Sequence, residues 1–285
     1  MSHLTDISPL ARVMRRVDEA TDGAPPPDTI AVGFPSVDKL LGGGVRRGDL
    51  VVIGGDVASG KSALALAMAL RAAQADRVAA FLTGEMNVSR VMERALAIEG
   101  RVAVDDIRSG KLDDESRASL GAAAVRLRDR APQVERIAPG GTAALADDLR
   151  RCIDLELAVV DSLQAVAVGT RGRDEELAAT VRALKALAVD LDVALLVTTQ
   201  LAALPRDRRD LRPQLGDYGA LGAIAEHADV VLGLFREEMY DAAGRGIEGA
   251  TELIVNKNRN GGTGYADLYF YKKWMRFEDM LDPDR

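Results

Sequence analysis

The stretch GGDVASGKSALALAMAL, residues 54–70, constrains this chain more than any other. Gly55, Gly60, Lys61 and Ser62 satisfy G-x-x-x-x-G-K-[ST], with Asp56, Val57, Ala58 and Ser59 filling the loop. An apolar run at 49–54 reads as a short strand before it, and an Ala/Leu-rich run at 61–75 reads as a helix after it. A phosphate cradle needs that order. Backbone N–H groups wrap the anion, and the helix N-terminus aims its dipole at it. Lys61 is then placed to reach the outer phosphates and Ser62 to bind Mg²⁺ through its hydroxyl, with Ala63 beside them at the head of the helix. The simpler alternative, a glycine turn with an exposed lysine, leaves the strand–loop–helix order unexplained.

The rest of the chain alternates in the same way. Strands are predicted at 78–82, 157–160, 193–198 and 229–235, and helices at 89–99, 113–130 and 175–190. Apolar strands separated by helices imply an α/β fold with a mostly parallel sheet covered on both faces. Segments 251–256, 265–271 and 274–277, divided by Gly-rich turns, predict an antiparallel extension at the C-terminal end. Ahead of the domain, Ile7, Leu10, Val13, Met14 and Val17 recur at helical steps, and TDGAPPPD then breaks the pattern. The division predicted is therefore a linker helix and Pro-rich linker over 1–28 and one domain over 29–285. A helix this short is marginal alone. It docks either on its own domain or on a neighbouring subunit, and the Pro25-Pro26-Pro27 spacer favours the neighbour.

A nucleotide site needs a second metal anchor, and Asp161 supplies one at the end of the apolar run LAVV. Ligands of open α/β sheets bind at the carboxyl ends of the strands. Hydrolysis also needs a group to orient or deprotonate water. Glu85, in FLTGEM, follows the 78–82 strand, which is expected beside the first strand; Gln200, in LLVTTQ, ends another and is placed to sense the terminal phosphate. The simpler alternative for each is an ordinary polar residue at the wet edge of a sheet. Asp105-Asp106, Asp113-Asp114 and Asp147-Asp148 read as acids at helix N-termini. His3 and His227 have no metal partners at useful spacing.

The formal net charge is −7. That counts against a broad nucleic-acid-coating face, because such affinity comes from neutralised phosphates; a few basic contacts in a narrow channel stay compatible. Cys152 is the only cysteine, too few for a disulfide framework or a zinc site. The N-terminal MSHLTDISPLARVMRR lacks an apolar core, and the apolar run at 63–70 stops at Arg71, short of the roughly 20 residues a membrane span requires. A cytoplasmic protein without membrane association is expected.

Six segments in order resemble the C-terminal ATPase domain of the DnaB-type replicative DNA helicases, within the RecA-like superfamily: GFPSVDKLLGGGVRRGDL, FLTGEM, VVDSLQ, LKALAVDLDVALLVTTQL, RPQLGDYGALGAIAEHADVVLGLFREEMY and NKNRNGGTG. The resemblance runs from about Gly33 to the end. It implies a RecA-like sheet, ATP and Mg²⁺ as ligands, and a homo-oligomeric ring, usually of six subunits, with ATP bound between neighbours. It makes Glu85 the catalytic glutamate. It projects Lys257 and Arg259 from one subunit onto the phosphates held by the next, an arginine-finger arrangement, and puts Arg94 near the phosphates. From the residues alone, Lys257 and Arg259 read as a solvated basic hairpin tip beside the Asn260-Gly261-Gly262 turn.

Two departures from the family stand out. The chain starts almost at the linker helix, where these helicases carry a separate N-terminal domain, so the usual loader and primase contacts are in doubt. And Asp217-Tyr218-Gly219-Ala220-Leu221-Gly222 stands where the family has Asp-Leu-Arg-Glu-Ser-Gly lining a DNA channel. Gly219 and Ala220 remove a charged pair, which weakens the expected contact with single-stranded DNA. Arg171, Arg173, Arg206, Arg208, Arg209 and Arg212 are the remaining channel candidates, or else a solvated charge run. The expectation is a ring-forming ATP-dependent DNA helicase or translocase. The alternatives are a RecA-like ATP-binding ring or scaffold that assembles with protein partners and does not unwind DNA, and, behind it, a recombinase or clock-type ATPase.

Overall fold

The computed structural model describes residues 28–201, 208–240 and 247–280, with Leu10, Ala11, Val13, Met14, Val17 and Asp18 near the start. Those six are helical, and the apolar members of the predicted stripe among them are exposed; Ile7 lies outside the described residues.

β1 (Thr29–Ile30) and β2 (Val45–Arg46) form a small antiparallel ribbon. β3 (Leu50–Gly55), β4 (Ala79–Thr83), β5 (Gln133–Arg136), β6 (Leu157–Asp161), β7 (Ala194–Gln200) and β8 (Val230–Phe235) run parallel. β9 (Ala250–Asn258), β10 (Gly264–Tyr271) and β11 (Arg276–Asp279) extend the same sheet antiparallel. The nine-stranded order is β11-β10-β9-β8-β3-β7-β6-β4-β5. The helices are α1 (Pro35–Leu40), α2 (Lys61–Gln74), α3 (Val88–Gly100), α4 (Val104–Ser109), α5 (Asp114–Asp129), α6 (Gly141–Arg151), α7 (Leu163–Val166), α8 (Arg173–Leu191) and α9 (Ala223–His227).

Successive strand side chains face opposite ways, and both directions are buried here. Val51, Ile53, Phe81, Val159 and Leu196 pack into the core under α2. Leu50, Val52, Leu82, Val160 and Val197 pack on the other face with Val181 and Leu184 of α8. This is why the central strands read as unbroken apolar runs. In α2 every residue from Ala63 to Leu70 is buried. Its alanines let the helix lie close between the sheet, α3 and β11.

Three expectations are corrected. β4 is not beside β3: β7 and β6 lie between them. β5 and α6 were not anticipated. QVER carries one apolar residue, enough for an edge strand but not for a recognisable pattern, and α6 starts at a Gly140-Gly141 pair with no capping side chain among the described residues. Asp147 and Asp148 therefore sit in the later half of α6, not at a helix N-terminus, and Asp148 pairs with Arg151. The last strand starts at Arg276; Trp274 belongs to the turn before it and stacks on Tyr271, with ring centroids 5.0 Å apart. No helix among the described residues is long and apolar enough to cross a membrane.

Candidate active site

β3, β6 and β7 deliver their carboxyl ends to one cavity of about 550 Å³. The loop after β3 turns at Gly60, whose φ of +103° suits glycine, and a Cβ there would lie 2.9 Å from Phe277 Cζ. α2 begins at the next residue, so its first amides face the cavity. Lys61 Nζ donates to Gly55 O (2.9 Å) and Asp56 O (2.7 Å), which folds the lysine back across the loop. Burial pulls the Lys61 pKa below the ordinary lysine value, opposed by the nearby carboxylates of Asp161, Asp56 and Glu85.

Asp161 is 2% exposed. Its Oδ1 accepts from Ser62 Oγ (2.9 Å) and Thr198 Oγ1 (2.5 Å), while its Oδ2 is buried with no hydrogen-bond partner among the described residues. A carboxylate oxygen and a hydroxyl side by side beneath a phosphate loop are the donors a hard divalent cation takes, so these residues fit Mg²⁺. Burial raises the Asp161 pKa; the Thr198 and Ser62 hydroxyls act against it. A cis peptide joins Asp161 to Ser162, and Ser162 Oγ donates to Glu85 Oε1 at 2.8 Å. Glu85 thus reaches the cavity although its strand is separated from β3. Thr199 Oγ1 accepts from Gln164 Nε2 (2.9 Å) beside Gln200.

The cavity lining brings together the anticipated Val57, Ala58, Gly60, Lys61, Ser62, Ala63, Glu85, Arg94, Asp161 and Gln200. Gly55, Asp56 and Ser59 complete the loop: Gly55 O receives Lys61, Asp56 Oδ2 accepts from Tyr240 OH (3.1 Å), and Ser59 is buried. Arg94 lines the same cavity; burial lowers its pKa and the Asp161 charge opposes that. Sequence reasoning missed Ser162, Thr198 and Arg236. Arg236, 5% exposed, donates from Nη1 to Ala58 O (3.2 Å) and Ser59 O (3.4 Å), pairs with Glu238, and stacks 4.8 Å from the Phe270 ring centroid. The signal for Ser162 and Thr198 was present, as polar residues at the ends of apolar strands. For Arg236 only a charge after β8 marked it.

Lys257 and Arg259 are not in this cavity. Lys257 pairs with Val231, and Arg259 N donates to Asp229 O, so both lie at the opening end of β8, level with the start of β3. The phosphate loop leaves the far end of β3, about 16 Å away at the usual rise per strand residue. There Lys257 Nζ donates to Ala225 O (2.7 Å) and Ala228 O (2.6 Å), and Arg259 Nη1 to Asp229 Oδ1 (2.9 Å).

Fold and cavity together define a P-loop nucleotide-binding protein with a RecA-like sheet. The family model for the DnaB-like helicase C terminal domain matches residues 29–279, and the chain belongs to that family. It is 33% identical over 258 residues to the replicative DNA helicase DnaB of Leifsonia xyli subsp. xyli, a match covering 88% of this chain and 56% of that protein. The chain spans about half the length of the curated relatives it matches. Its fold is shared with a DnaB-like replicative helicase solved with its primase interactions (TM-score 0.86, 24% identity, 95% of this chain and 66% of that one). It is shared more distantly with a KaiC-like protein of Pyrococcus horikoshii (TM-score 0.61, 15% identity, 89% and 99%).

Three of the arginines considered for a DNA channel, Arg171, Arg208 and Arg212, are engaged within the chain. Arg208 Nη1 donates to both Asp217 oxygens (2.8 and 2.7 Å), Arg212 forms a two-pronged pair with Glu252 (2.6 Å each), and Arg171 lies 3.9 Å from Glu176. Arg206 lies outside the described residues. Gly219, Ala220, Leu221 and Gly222 all take positive φ, and Leu221 is 69% exposed at the tip of that turn.

Proposed function

We propose that this chain is the ATP-hydrolysing motor domain of a ring-forming, cytoplasmic DNA helicase or translocase of the DnaB type, with ATP bound between neighbouring subunits. In this reading the loop amides and Lys61 hold the phosphates, Ser62 and Asp161 hold Mg²⁺, and Ser162 orients Glu85 toward the attacking water. Bound Mg²⁺ would neutralise charge on the phosphate oxygens. Gln200 meets the terminal phosphate and Arg94 flanks it. One observation carries the shared site: the phosphate loop leaves one end of β3 while Lys257 and Arg259 sit level with the other. Cations so placed are out of reach of their own subunit's phosphates and serve those of an adjacent one.

The test is subunit mixing. Lys61→Ala and Arg259→Ala should each lose ATPase activity, by about 10³-fold or more for the arginine, and regain part of it when mixed. No recovery from variants that both assemble would refute the shared site. The glycine turn at 219–222 and the self-paired Arg208 and Arg212 favour a second reading, an ATP-binding ring that works on protein partners. Stimulation of ATP turnover by single-stranded DNA at stated salt supports the motor; tight ATP binding with no response to DNA supports the scaffold.

A further inference from the structure

Asp229 lies outside the cavity, at the first turn of the chain into β8, and is 5% exposed. Its Oδ1 accepts from Arg259 Nη1 (2.9 Å); its Oδ2 accepts from Lys185 Nζ (2.6 Å) and from Leu50 N (2.8 Å). Its main chain adds two more bonds: Arg259 N donates to Asp229 O, and Asp229 N donates to Leu50 O, both at 2.9 Å. Arg259 is therefore gripped at its backbone and at one guanidinium nitrogen, and a second nitrogen reaches Glu226 O (2.5 Å). Its side chain as a whole is still 46% exposed.

We propose that Asp229 is a positioning residue for the cations that act on the neighbour's phosphates, a role that rests on the shared site argued above. The carboxylate holds the guanidinium from behind and leaves its outer side to a phosphate. Lys185 matters to the charge balance. A carboxylate paired with Arg259 alone would offset the charge that the phosphate is meant to meet. Because Lys185 takes the other oxygen and also donates to Gly48 O (2.8 Å), Arg259 is fixed in place without being neutralised outright. A finger must be held closely, since misplacement by about 1 Å can cost about 10²-fold in rate.

Asp229→Asn keeps an acceptor for Leu50 N and removes the charge that grips Arg259. The expected result is a fall in kcat of about 10²-fold with KM for ATP unchanged, because ATP is held at the other end of the sheet. The double variant with Arg259→Ala should be no slower than Arg259→Ala alone. The deciding measurement is mixing: Asp229→Asn with Lys61→Ala subunits should regain activity as Arg259→Ala with Lys61→Ala does. A merely structural aspartate, acting through Leu50 on β3, would damage its own protomer's phosphate loop. KM would then rise, and Lys61→Ala subunits could not compensate. If Asp229→Asn fails to mix back while Arg259→Ala succeeds, or if it keeps full activity alone, the proposal is wrong. If neither mixes back, the shared site itself has failed and takes this role with it. Should the lone, half-buried ammonium of Lys185 prevent folding, Asp229→Asn with Lys185→Met removes both charges of the pair and is tested the same way.

Discussion

Asp161 answers to two opposing demands. Its placement suits a cation, yet its carboxylate is buried, with one oxygen lacking a hydrogen-bond partner among the described residues. Burial raises its pKa, so the folded chain binds that proton more tightly than the unfolded chain does. The group's contribution to stability is therefore complete below the unfolded carboxylate value, about 3.9, and is lost as pH rises through the raised folded value. At neutral pH the ionised side chain is a burden on the nucleotide-free protein. Asp161→Asn, nearly the same shape, should raise the melting temperature of that form by about 2–4 °C at neutral pH. The gain should shrink as pH falls through the raised folded value, where the wild-type group takes up its proton, and Mg²⁺-dependent ATP turnover should be lost. A melting temperature that falls at neutral pH would show that the hydroxyls of Ser62 and Thr198 need the charge more than burial resists it.

At the scale of an element, β3 is narrowed at its carboxyl end. A Cβ on Gly54 would lie 2.3 Å from Tyr218 Cε1 and 2.9 Å from Leu201 Cδ2. Tyr218 cannot yield, because it is buried and its hydroxyl donates to Asn256 Oδ1 at 2.7 Å. Gly54→Ala should cost about 1–3 kcal/mol by overpacking. Gly216→Ala, with nothing within 4 Å of the added carbon, should leave a denaturant midpoint unmoved. Equal midpoints for the two would mean the tyrosine shifts freely. The close pair also marks what was legible in the sequence. The phosphate loop, Asp161 and the alternation of strands and helices are written in contiguous residues, where period and loop chemistry can be read. Strand order is not, because crossover helices decide it, and so β4 fell two strands from its expected place. Contacts such as Ser162 with Glu85, 77 residues apart, and Arg236 with Ala58, 178 apart, depend on that order and left no local trace. Asp147 and Asp148 misled because two acids in a row satisfy the same rule inside a helix as at its start.

For the whole molecule, a nucleotide site completed by a neighbour ties catalysis to association. ATP turnover per subunit should fall steeply on dilution, and the fall should come at higher protein concentration when salt is added, since exposed charges are screened over about 10 Å at 0.1 M. Light scattering across the same dilution series should report the loss of large particles in step. Constant turnover from a single subunit would remove the need for Lys257 and Arg259 to act across an interface. Both cations are seated before any such meeting: Lys257 on the carbonyls that end α9, Arg259 on Asp229. A long side chain that is immobilised only on docking forfeits about 0.5–1.5 kcal/mol of its rotational freedom at that moment. Here the loss has already been taken when the chain folds, so protomers come together as finished parts, and the hairpin need not search for its shape while the collision lasts.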